Sequence, residues 1–189
     1  MSLREILQKK SSEYEAVKER RYREGMEQQE QNRRDMMKDL NKEKMYLLSL
    51  AEKCAQQDEI YNSMIKSETS LYLEVKRFEK EMSWNKMQLQ ARQANMQFLE
   101  NEYLNWHRTF VHAHNLFELH SPAMLEKLRA LSTQTKVRKS CGYKVPELVD
   151  DKKHNAVAKT IIAFLSFQAD FDELKINYNW RHHSIYFEW

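Results

Sequence analysis

No glycine or proline falls between Gly25 and Pro122, and one heptad phase runs unbroken from Leu40 to Phe117. Residues seven apart along this stretch are Leu40, Leu47, Cys54, Tyr61, Glu68, Val75, Met82, Leu89, Met96, Tyr103, Phe110 and Phe117, so eleven of twelve are apolar in a chain that is 41% apolar. The row three positions further on includes Leu50, Met64, Leu71, Phe78, Leu99, Trp106 and Ala113, and is apolar at seven of eleven places. Two such rows form the seam of a coiled coil, and a seam requires a partner. A 96-residue helix would span roughly 144 Å, far more than a compact domain of this length can hold. The spacing therefore predicts a long helix that binds other chains.

Scarcity of turn formers narrows the class. A chain of 189 residues would ordinarily hold about 13 glycines and 9 prolines, and this one has two of each. Sandwiches, phosphate-cradling loops and most enzyme scaffolds need more of them, so the expected class is all-α. Charged residues make up 31% of the chain, and the formal net charge of +3 does not imply nucleic acid. The longest nearly apolar stretch, residues 156–167, is too short to cross a bilayer, so no transmembrane segment is expected. Two distant cysteines and the absence of an Asn-x-Ser/Thr sequon suit a reducing compartment, and the acids among the first twenty residues argue against a transit peptide.

Four segments follow. Residues 1–25 carry a thin apolar stripe (Leu3, Ile6, Leu7, Tyr14, Val17) expected to form an N-terminal docking helix. Residues 26–121 form the long helix, polar up to residue 44. Its partner-binding seam comprises Leu40, Leu47, Leu50, Tyr61, Met64, Leu71, Val75, Phe78, Met82, Leu89 and Met96. Gly25 costs about 1 kcal/mol relative to alanine inside a helix and is the expected place for a bend. Residues 66–70 (Lys-Ser-Glu-Thr-Ser) are the other weak point, where a helical hairpin could turn, but the constant phase on both sides of Glu68 favours continuity. Residues 122–178 are expected to start a short helix at Ser121-Pro122, pass through a basic loop at 132–146 and return as a helix from 147 to 178. That helix would complete a small bundle with core residues Leu99, Tyr103, Trp106, Phe110, Phe117, Ile161 and Leu165. Residues 179–189 form an aromatic tail. Its Trp180, Tyr186, Phe187 and Trp189 are expected to anchor in a partner's pocket rather than fold back on the bundle.

Candidates for chemistry are weak. The seven histidines include no pair three or four apart on one helix, and the single carboxylate-x-x-His element, Asp151 to His154, falls short of a di-iron set. No metal or other cofactor is expected. Cys141, beside Gly142 in the basic loop, is a reactive thiol only if nearby cations depress its pKa, and no partner histidine is identifiable by spacing. Lys136, Arg138, Lys139 and Lys144 suggest contact with an anionic surface, worth roughly 1 kcal/mol per basic residue near anionic lipid. The expected function is non-enzymatic: a structural or accessory subunit that braces or spaces several other proteins of a large assembly. The alternative is a peripheral membrane-surface protein. The mildly basic composition leans towards the periphery of a mitochondrial inner-membrane complex, with cytoskeleton or cilium as the alternative.

Overall fold

The computed structural model describes residues 15–67, 71–133, 140–149, 153–171 and 173–189. Helix α1 spans Glu15–Lys66 and α2 spans Tyr72–Ser132. Strand β1 (Ser140–Lys144) follows, then a 3-10 turn (Pro146–Leu148), helix α3 (His154–Phe167), a second 3-10 turn (Ala169–Phe171), and strands β2 (Lys175–Asn179) and β3 (Ser184–Glu188). The protein is mostly helical, with a small C-terminal sheet that the all-α expectation lacks.

The long helix is divided. Ser67 N–H closes the end of α1 on the Met64 carbonyl at 3.2 Å, and the Leu71 carbonyl accepts from Glu74 N–H at 3.0 Å to open α2. Continuity of phase across Glu68 does not distinguish the two outcomes, because Met64 and Leu71 stand seven apart whether the chain runs on or turns back. Turning back brings the seam's partner from the same chain at the small entropic cost of closing a short loop.

Two compact units result, one of Met1–Gln31 with Asn105–Trp189 and the other of Asn32–Leu104. The first holds the core: Ala113, Leu116, Phe117, Met124 and Leu128 of α2 pack with Val157, Ala158, Ile161, Phe164 and Leu165 of α3 and with Ile185 and Phe187 of β3. Residues 15–31 of α1 dock here, with Tyr22 stacked on Phe117 and Lys18 paired with Asp170. Gly25 does not break the helix, which runs through it; it is buried against Phe167, and a Cβ placed there would meet the Phe167 ring at 2.3 Å. Pro122 likewise starts no new helix, since α2 runs through it to Ser132. A proline forfeits one backbone hydrogen bond, and burial of Met124 and Leu128 just beyond holds the last turns in place.

The expected loop at 132–146 and return helix at 147–178 are replaced by strands on either side of a shorter α3. The sheet has the order β1-β3-β2, both pairings antiparallel, with Cys141 and Ile176 flanking Phe187 and with Tyr143 and Tyr178 flanking Ile185. Lys175-Ile-Asn-Tyr-Asn alternates polar and apolar residues, the two-residue period of a half-buried strand, while Ser184-Ile-Tyr-Phe-Glu is a short apolar run between polar ends, as suits a central strand. Glu173 (φ 64°) and His183 (φ 46°) take the left-handed conformation at the entrances to β2 and β3.

Candidate interaction surfaces

The seam folds on itself. Within the unit Asn32–Leu104, α1 and α2 lie antiparallel, joined by a ladder of side-chain contacts. Tyr61 Oη donates to Glu79 (2.6 Å), Asn85 Nδ2 donates to Gln57 Oε1 (2.8 Å), and Gln57 Nε2 donates to Glu81 (3.1 Å). Lys86 pairs with Asp58 at 2.6 Å and Arg92 with Glu43 at 3.2 Å, the Arg92 guanidinium also lying over the Tyr46 ring. Leu40 and Cys54 are buried, and Leu47, Leu50, Tyr61, Met64, Val75, Phe78, Met82, Leu89 and Met96 are half-buried. Leu71 alone among the predicted seam residues stays exposed. The polar residues Gln57 and Asn85 are buried at the middle of the seam, Asn85 donating to Gln57 and Gln57 in turn to Glu81. Such a pair contributes little net stability but penalises any register that separates its members. Leu99 and Tyr103 belong to this unit and not to the bundle core, Tyr103 lining an apolar hollow with Met37, Leu40 and Met96.

What the seam leaves outside is extensive. Of the sixteen large apolar side chains that are exposed among the described residues, twelve belong to the hairpin unit: Met45, Tyr46, Leu48, Ile60, Ile65, Leu71, Tyr72, Leu73, Trp84, Met87, Phe98 and Leu104. An apolar group standing alone on a surface is ordinary, so it is their number in one unit that stands out.

The aromatic tail behaves differently from expectation. Phe187 is fully buried on the core face of β3, Trp189 packs against the core, and Tyr186 lies over Gly142, where a Cβ would approach its ring at 2.9 Å. A central strand gives these rings a place to bury inside their own unit, so the tail is an internal element. Trp180 alone among the four is exposed, at the β2–β3 turn, with the Arg181 guanidinium over its ring. In the bundle core Phe117, Ile161 and Leu165 are buried, Phe110 meets Phe164 edge-on at 5.4 Å, and Trp106 stacks on Phe110.

A polar cluster ties the sheet to α2. One ring nitrogen of His120 contacts Tyr143 Oη at 3.1 Å and the other contacts the Glu147 carboxylate at 2.8 Å. Burial raises the Glu147 pKa, but a backbone hydrogen bond and the bond and charge of His120 outweigh it and leave the group below its ordinary value. Cys141 lies on the core-facing side of β1 and its thiol is pushed up by burial, with Lys127 opposing only in part. Burial thus works against a depressed, reactive thiol at this position. Lys144 is exposed at the end of β1, whereas Lys136, Arg138, Lys139 and the apolar stripe of residues 3–14 lie outside the described residues.

Among the described residues no group of three or more His, Cys, Asp or Glu side chains is placed to hold a metal ion, and no helix is long and apolar enough to cross a membrane. No family model, curated protein or solved structure matches the chain.

Proposed function

We propose that this chain is a non-enzymatic structural or accessory subunit that braces or spaces other proteins of a large assembly. The carrying observation is the exposed apolar surface of the hairpin unit after its own seam has been filled. This relocates the bracing surface. The seam is spent within the chain, so partners meet the outer side of α1 around Met45 and Leu48 and the hairpin tip around Ile65, Leu71 and Leu73. Crosslinking mass spectrometry on the native assembly tests the reading, with linkages expected from Lys44, Lys53 and Lys66 to several other proteins. Linkages confined to this chain would refute it. The same preparation, fractionated, tests the proposed place at the periphery of a mitochondrial inner-membrane complex.

One observation favours a second reading. Leu71, Tyr72 and Leu73 are exposed beside Lys66 and Lys76, a combination that suits an anionic lipid surface. Flotation with anionic vesicles decides it, and binding that is absent or insensitive to salt removes it.

A further inference from the structure

The back of α2 carries a second apolar stripe, on the side opposite the seam. Trp84, Met87, Ala91, Ala94 and Phe98 follow at spacings of three, four, three and four, which keeps them on one helical face. All five are exposed, Trp84, Met87 and Phe98 at 57%, 54% and 60%. Small residues at the centre of such a stripe allow the backbone of another helix to come close, while the large residues at its ends supply buried area.

The ends of the stripe are symmetric about Ala91, while on reversal Met87 falls opposite Asn95 and Ala94 opposite Gln88. Trp84 and Phe98 each lie seven positions from it, and Lys80 and Glu102 each lie eleven. A two-fold interface requires one patch to be complementary to itself. Reversing this helix against a copy of itself sets Trp84 opposite Phe98, Lys80 level with Glu102 and Ala91 opposite Ala91. Beside Trp84 lies a shallow hollow walled by Arg77, Lys80, Glu81, Ser83 and Met87, open to a large side chain at that position. A parallel copy would instead set Lys80 against Lys80. We propose that the occupant is a second copy of this chain, its α2 packed antiparallel across a two-fold axis at Ala91. The contact spans about four helical turns, so the association is modest and concentration-dependent. It is independent of the bracing role, which concerns other proteins and is tested by linkages to them.

Sedimentation of the purified full-length chain over a concentration series is expected to show a monomer–dimer equilibrium. Ala91→Glu, which brings two like charges together on the axis, is expected to weaken it by at least about tenfold. Helix content and melting at low concentration should stay unchanged, because the site is exposed in the monomer. Glu102→Lys is expected to weaken the dimer on the order of fivefold, and adding Lys80→Glu to restore it. Orientation is read by mixing the Lys80→Cys and Glu102→Cys chains under oxidation, with the mixed disulfide expected. A chain that stays monomeric throughout, a dimer indifferent to Ala91→Glu, or self-pairing of Lys80→Cys in preference to the mixed pair each overturns the proposal.

Discussion

Gly25 shows how a single residue can carry two opposite meanings. In an isolated helix a change to alanine would stabilise by about 1 kcal/mol, but here the Cβ would run into the Phe167 ring at 2.3 Å. Overpacking of this kind costs about 1–3 kcal/mol, so Gly25→Ala is expected to lower the urea midpoint of the full chain. The thiols can be tested in the same way. With Cys54 buried and the Cys141 pKa raised, both are expected to alkylate slowly in the native protein and rapidly in denaturant. Glu147 predicts a pH response. Its folded pKa lies below the unfolded value, so its contribution is present above the unfolded pKa and is lost as pH falls through the folded one. The chain should therefore lose stability towards acid as pH falls below the ordinary glutamate pKa of about 4.3, and Glu147→Gln should flatten that part of a urea-midpoint profile.

At the scale of elements, the hairpin is held in register by an amide pair inside a mostly apolar seam. Asn85→Leu leaves the Gln57 carbonyl oxygen without its donor and is expected to cost about 1–3 kcal/mol. The double change Gln57→Leu with Asn85→Leu removes both polar groups and should recover most of that loss in thermal melts. If the double variant proves less stable than Asn85→Leu alone, the pair is not the register device described. Strand β2 was legible in principle, through its alternation of polar and apolar residues over five positions, whereas β3 carries three apolar residues in a row. A reading built on 3.6-residue periodicity takes Ile176, Tyr178, Ile185 and Phe187 for further helix or free tail. Short strands give too few repeats to outweigh the helical signal of the rest of the chain.

At the scale of the whole molecule, the core of the unit containing α3 and the sheet depends on its C-terminal strand. Phe187 stacks on Phe171 at 5.7 Å and sits at the centre of the sheet, so Phe187→Ala is expected to destabilise that unit by about 3–5 kcal/mol, measurable by hydrogen exchange at β1 and β2. The sequence by itself determined the mostly helical class and, within the expected bundle core, marked Phe117, Ile161 and Leu165, which are buried, because the periodic recurrence of apolar residues is a local property of the pattern. It also marked residues 66–70 as the weak point. Only the tertiary structure decided what the rows pack against. A seam records that a residue is to be buried but not by which chain, and the heptad phase is the same for one continuous helix and for a hairpin whose flanking seam residues stand seven apart. That choice rests on the free energy of closing a short loop against leaving the seam open, a balance between distant residues that no local pattern contains.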